Sequence, residues 1–430
     1  MTMTPKTLQT PEFRRSPLTV PFCNLERLFD SLEQRNLDGV VVSTSYNVFY
    51  LSGFQGIAHK SDEPRPYAVI LSRHSPEHPI LILADYYVGS LTAQPTWIND
   101  VRSFRGVMLP LDLASKPDDI DRFVPNKAND APWLPELRSN FHESIGDACR
   151  HALGDLGLTN SRIAFDELRF GHQLGVDGVE IVDGYDPLMY ARSVKTSQEI
   201  GFLQRATRLN QMAIERTVST WSRGMSWREL NHTYHQNAVG LGGFVRDPGA
   251  MVWGHPRGGD AAITLQTGLE DFEVETGLHI LFDCHGTLDS YCWDGGKTWV
   301  VDSEPNIQAK QIARATEEVA SELLNAMRPG IKVSELQARG RSVFRKAGVP
   351  DADTAIIFFH GLGLSHMDLE QVSSEGIPNA DWALEEGMVV PLHVLYPGDE
   401  NNRMWIEEVA HVTTDGATPF FSWGLNPLIG

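Results

Sequence analysis

Cysteine is scarce in this 430-residue chain: Cys23, Cys149, Cys284 and Cys292 are all there are. None forms a C-x-x-C pair, so neither a zinc ribbon nor a thioredoxin-like redox site is encoded, and four are too few for a disulfide framework at this length. Cations are also in short supply, 36 Lys and Arg against 56 Asp and Glu, for a net charge of −20. That argues against a nucleic-acid-binding surface, which needs clustered Lys and Arg. No apolar run approaches the roughly 18 residues that span a bilayer, and the opening MTMTPKTLQTPEFRRSPLTV has no secretory apolar core. The expectation is a cytoplasmic globular protein without membrane or nucleic-acid partners. Two familiar chemistries are missing too. There is no G-x-S-x-G elbow, and HPRGGDAA is glycine-rich but lacks the Lys-Ser/Thr of a phosphate loop.

What is present divides into two halves. Residues 1–18 read as a loose tail rich in Pro, Thr and Arg. Asn24 then caps a helix with Leu25, Leu28, Phe29 and Leu32 at helical spacing. Strand-like segments LDGVVVST, YAVILS, PILILADYY and RIAFD follow, with a helix near Glu143–Leu156. This alternation predicts an α/β domain over 19–190. A boundary is expected near Ala191–Lys195, after which Thr196 and Glu199 form a capping box opening a helix to about Val218. Further helices are expected near Pro305–Met327 and Ser334–Lys346. Around them lie the strand-like segments LHILFD, TWVVD, AIIFFHG, MVVPLHVLY and EEVAHVTT, so 191–430 reads as α+β.

The unusual residues sit on those last strands. In LFDCHGTLDSYCWDGGKTW, Asp283 ends one apolar strand and Asp294 precedes the next. A hairpin closed near Gly286–Ser290 lets the two face each other, and paired carboxylates repel unless a cation lies between them. Taken alone, the hairpin is more simply a solvated one. His360 ends AIIFFH, His366 follows six residues on, His393 interrupts GMVVPLHVLY, and Glu407 opens EEVAHVTT. Each is explicable by local hydrogen bonding; four strands each carrying an ionisable group are harder to explain that way. Carboxylates combined with imidazoles suit Mn, Fe, Co or Zn. His285 and Asp289 are spare donors to which surface roles are assigned, Asp289 marking the solvated turn. His232 and His235 form a polar helix face, and Cys284 and Cys292 are small apolar fillers.

The order of these residues resembles the pita-bread metallopeptidase superfamily, which includes methionine aminopeptidase, aminopeptidase P, prolidase and the non-peptidases creatinase and dimethylsulfoniopropionate lyase. LDGVVVSTSYNVFYLSGF resembles the creatinase-type N-terminal domain and ARSVKTSQEI its domain junction. The resemblance implies an α+β fold in which a pita-bread catalytic domain follows a smaller α/β domain. It implies that Asp283, Asp294, His360 and Glu407 occupy four of five metal-ligand positions, with Asp294 and Glu407 bridging, and that His366 occupies the position of a substrate-contacting histidine. It also implies one or two divalent transition-metal ions, a dipeptide or other small-molecule substrate, and a homodimer.

Two departures stand out. His393 occupies the fifth ligand position, where the family has Glu; this favours Zn or Fe over Mn and allows a single metal on Asp294, His360, His393 and Glu407. At the position of the peptidases' proton-shuttling histidine stands Leu265, with His255 as a substitute if the loop folds differently. The leading expectation is a metal-dependent hydrolase cleaving an amide C–N bond of a small substrate, Xaa-Pro dipeptidase- or aminopeptidase P-like, with catalytic His366 and His255. The alternatives are a metal-dependent lyase acting on a small carboxylate, with His366 as base, and a creatinase-like metal-free C–N hydrolase or a binding protein that kept the fold.

Overall fold

The computed structural model describes residues 11–13, 17–60, 66–106, 117–245, 251–254, 256–258, 271–368 and 381–429. Backbone contacts divide the chain into two compact units: Ser16–Arg192 with Glu370–Pro378, and Ser193–Leu369 with Asn379–Gly430 and Met1–Arg15.

The first unit carries a mixed sheet. Its strands run in the spatial order Phe141–His142, Asp100–Phe104, Ser75–Ala84, Tyr67–Ser72, Gly39–Val42, Arg162–Phe165 and Glu180–Asp183. Gly39–Val42 and Tyr67–Ser72 are buried along their whole length, as strands covered on both faces must be. Local signals place the helices. Asn24 Oδ1 accepts a hydrogen bond from Arg27 N at 3.2 Å and starts Leu25–Gln34. Ser144 caps Ile145–Asp155 in the same way. At the ends of two parallel strands, Asp166 accepts hydrogen bonds from the backbone N–H groups of Ser43 and Thr44, which fixes the start of helix Ser45–Ser52.

The second unit holds the functional candidates. Thr196 and Glu199 form the capping box that opens Ser197–Thr220, and a second box at Ser226 and Glu229 opens Trp227–Leu241. The sheet runs in the order Ile356–Phe359, Val389–Tyr396, Met404–Thr413, Gly296–Val300, His279–Asp283 and Met251–Trp253. Alternation along these strands separates two chemistries. Val390, Leu392 and Val394 join Met404, Ile406, Ala410 and Val412 in a core built with helices Ile307–Ala326 and Val333–Lys346. Val252, Ile280, Phe282 and Trp299 join the core under the first two helices. The intervening residues His393, Leu395, Trp405, Glu407, Leu281, Asp283 and Trp253 therefore project from the opposite side of the sheet. Each strand spends one face on its helices and offers the other to the site.

Candidate metal centre

The strand His279–Asp283 pairs with Gly296–Val300, and between them Gly286–Leu288 pairs with Tyr291–Trp293 as a hairpin of its own. Asp289 and Ser290 form the two-residue turn with φ of 52° and 70°, the left-handed pair that a tight hairpin requires. Asp289 does mark the turn, but it is not a solvated residue. Its side chain is only 10% exposed and pairs with Arg205 at 3.3 Å, a correction to the surface role expected of it.

Asp294 leaves the strand just before Gly295 and Gly296, whose φ values are +86° and +151°. A Cβ on Gly295 would collide with Glu407 and one on Gly296 with the Phe282 carbonyl, so both glycines are needed for the backbones to close on the site. From the long helix, Asn210 Nδ2 donates to the carbonyls of Asp294 and Gly295 at 3.3 and 2.9 Å. Its Oδ1 accepts from Tyr234 Oη at 2.7 Å, and Trp293 Nε1 donates to the same Tyr234 oxygen at 3.1 Å. Asp294 is thus held from behind by a buried polar network.

The other side chains arrive by register. Phe358 is opposite His393, His393 opposite Glu407, and Glu407 opposite Gly296. Phe358 stacks on the His393 ring at 3.8 Å and 18°. His360 follows its strand, with Nδ1 3.1 Å from the Gly361 carbonyl; donation there leaves Nε2 as an electron-pair donor toward the site. The loop to His366 is tied down by Asp368, whose carboxylate accepts from Leu364 N at 3.2 Å and from Ser365 Oγ at 2.5 Å. Buried Lys195 stands 4.0 Å from that carboxylate.

Among the described residues three groups of donors result, each with its ligand atoms within 4.8 Å of one another: Asp283, Asp294 and Glu407; His360, His393 and Glu407; and His285, Asp294 and His366. All five residues expected as metal ligands are brought together, and His366 joins them at 2.9 Å from Asp294 Oδ2. His255 and Leu265 lie outside the described residues. His232 and His235 sit on helix Trp227–Leu241 and join none of these groups, while Cys284 and Cys292 are buried thiols.

The carboxylates are poorly satisfied by protein alone. Asp294 Oδ2 and both oxygens of Glu407 are buried and make no hydrogen bond among the described residues. Yet His360 Nε2 is 3.4 Å from Asp294 Oδ2, and His393 Nε2 is 2.7 Å from Glu407 Oε1. Short separations without hydrogen-bond angles are what a set of lone pairs directed at a common point produces. Buried polar atoms without partners are uncommon in folded proteins, and a cation is the group this donor set fits. Asp283 is better provided for, since Trp253 Nε1 donates to its Oδ2 at 3.0 Å.

The electrostatics agree. Burial, then the charges of Asp294 and Asp283, push Glu407 well above the ordinary range, and burial with the Asp294 charge raises Asp283. Burial also opposes ionisation of Asp294, but the adjacent His285 and His366 outweigh it and hold its carboxyl well below the usual value. Burial and the neighbouring His360 keep His393 neutral far below its normal titration, and burial lowers His360 as well. Neutral imidazoles facing crowded carboxylates are the protonation state a metal requires.

Residues 201–414 match the model of metallopeptidase family M24, and residues 24–174 match the creatinase/prolidase N-terminal domain. The chain belongs to the pita-bread M24 metallopeptidase superfamily. It shares 23% identity over 401 residues with YkvY of Bacillus subtilis, provisionally named a dipeptidase, spanning 91% of this chain and 96% of that one. Solved structures of like fold include an Xaa-Pro dipeptidase from Bacillus anthracis, with TM-score 0.66, 19% identity, and coverage of 95% and 99% of the two chains. An X-Pro aminopeptidase from Thermotoga maritima aligns with TM-score 0.63 and 17% identity over 94% of this chain and 99% of its own. The relatives and structural neighbours are named as peptidases, consistent with a hydrolase, and the expected α+β fold with a creatinase-type N-terminal domain is the one found. Among the described residues no helix is long and apolar enough to cross a membrane.

Sequence reasoning undervalued His285. Its Nδ1 lies 3.2 Å from Asp294 Oδ1 and 4.0 Å from Asp283 Oδ1. The i, i+2 spacing from Asp283 was the available signal, because alternate residues of an extended segment share a side. Trp253 and Asn210, which orient Asp283 and Asp294 respectively, have no such local signature.

Proposed function

We propose that this chain is a metal-dependent hydrolase that cleaves the amide C–N bond of a small substrate, as Xaa-Pro dipeptidases and X-Pro aminopeptidases are named for doing. Asp283, Asp294, His360, His393 and Glu407 hold one or two divalent transition-metal ions. The observation that carries the reading is that Asp294 Oδ2 and both Glu407 oxygens are buried without a hydrogen-bond partner among the described residues, beside neutral imidazoles. A divalent ion there supplies Lewis acidity to a carbonyl and lowers the pKa of a water.

The protein's own part is positional. Trp253 fixes the rotamer of Asp283, and Asn210 fixes the backbone of Asp294. His366, 46% exposed, stands at the accessible side of Asp294, where its N–H can donate to the oxygen of a reacting carbonyl. Phe358 and Trp405 flank His393, with ring centroids 3.8 and 5.3 Å away, and give the site an apolar margin.

The test is a substrate panel followed by mass spectrometry on chelated and metal-reloaded protein. It contains Xaa-Pro dipeptides, longer Xaa-Pro peptides and a sulfonium carboxylate. Cleavage of an Xaa-Pro bond that disappears on chelation and returns with metal is expected. Full turnover by metal-free protein, or turnover of the sulfonium compound alone, overturns the hydrolase reading.

A further inference from the structure

Asp294 lies in two of the three donor groups found among the described residues, one with Asp283 and Glu407 and one with His285 and His366. His285 Nδ1 is 3.2 Å from its Oδ1 and His366 Nε2 is 2.9 Å from its Oδ2. The two rings meet edge-on, centroids 4.9 Å apart at 81°, so both imidazoles converge on one carboxylate without stacking on each other. Asp294 itself is fully buried, and its Oδ2 has no hydrogen-bond partner among the described residues.

We propose that His285, Asp294 and His366 form a further divalent-cation position. The inference rests on the metal reading above and changes its geometry. Two nitrogens and one oxygen are a borderline donor set, suited to Zn2+ or Co2+, whereas the all-oxygen group of Asp283, Asp294 and Glu407 suits harder ions such as Mn2+. The group of His360, His393 and Glu407 also has two nitrogens and one oxygen. With borderline metals the ions therefore settle in the two histidine-rich groups, one buried and one reached from solvent past the half-exposed His366.

The charge balance has a consequence for the substrate. Three carboxylates carry −3 and two divalent ions +4, so the loaded centre keeps one positive charge. In a site of low dielectric that charge favours an anionic group, and a small substrate bearing a carboxylate is the class it would hold.

The test is titration of metal-stripped full-length protein with Co2+, followed by calorimetry and by the visible spectrum of the bound ion, in wild type, His285→Ala, His285→Asp and His393→Ala. Wild type is expected to bind two ions. His285→Ala weakens one of them by about 100-fold or more and leaves the other, a loss larger than removing a supporting residue gives. His285→Asp, which returns an oxygen donor and guards against a misfolded alanine variant, recovers part of the loss. His393→Ala weakens the other ion. Two ions indifferent to both His285 variants, or a single ion insensitive to them, overturn the assignment of His285 while leaving the metal reading intact. A wild-type chain that binds no Co2+ overturns both.

Discussion

Adding metal to the stripped protein should raise its melting temperature, and by more at pH 8 than at pH 6. An ion that binds only the folded chain stabilises it by about 2.7 kcal/mol when free ion is 100 times Kd. For a unit of this size each kcal/mol moves Tm by roughly 2–4 °C, so the expected shift is about 5–11 °C. The pH sign follows from Glu407 and Asp283, both raised in the fold by burial and by the Asp294 charge above their ordinary 4.5 and 3.8. A raised folded-state pKa stabilises fully below the unfolded value, and that contribution is lost as pH rises through the folded value. The metal-free chain loses this contribution as pH climbs, while the loaded chain has already released those protons to solvent on binding the ion. Each displaced proton is worth about 1.4 kcal/mol per pH unit within that window. His285, raised by Asp294 against the opposing effect of burial, acts in the same direction. The unfolded chain is common to both measurements, so its own titration cancels from the difference. Scanning calorimetry of stripped and Co2+-loaded protein at both pH values measures it directly. A shift that is absent, or larger at pH 6, refutes the reasoning.

Three other outcomes are expected. Glu407→Gln removes a ligand shared by two donor groups and should abolish tight binding of the ion held with His360 and His393, read as the loss of one ion by elemental analysis; it should also make the metal-free protein more stable at pH 8, by about 1–3 kcal/mol, since a buried carboxylate is relieved. A metal-free variant less stable than metal-free wild type would contradict this. His393→Glu should raise the Mn-to-Zn loading ratio by on the order of tenfold in direct competition, and an unchanged ratio would remove His393 from the ligand set. Glu408, which faces the helices and accepts from the N–H groups of Phe420 and Phe421, is raised by burial to about 8. Its contribution is present below pH 4.5 and lost as pH rises through about 8, so Glu408→Gln should gain on wild type across that window, by on the order of a few kcal/mol. Denaturation curves that stay a constant distance apart from pH 5 to 9 would show otherwise.

Much was determined along the chain itself. The caps at Asn24, Thr196 and Asn306 start their helices through bonds that span three residues. The apolar strands and the order of Asp283, Asp294, His360 and Glu407 were sufficient to indicate the superfamily, because alternation and spacing are local properties. Tertiary structure alone decided what each of the four histidines meets. His393 meets Glu407 because two strands pair in one register, and a slip of one residue would have turned His393 into the helix-packed core and brought Leu392 to the site. His285 faces Asp294 because the hairpin between them turns tightly at Asp289 and Ser290 and brings the two residues that flank its open end together. Asp294 itself is held by Asn210, 84 positions away. Those contacts join residues far apart in the chain, and only the packing of helices against one face of the sheet leaves the other face free to assemble them.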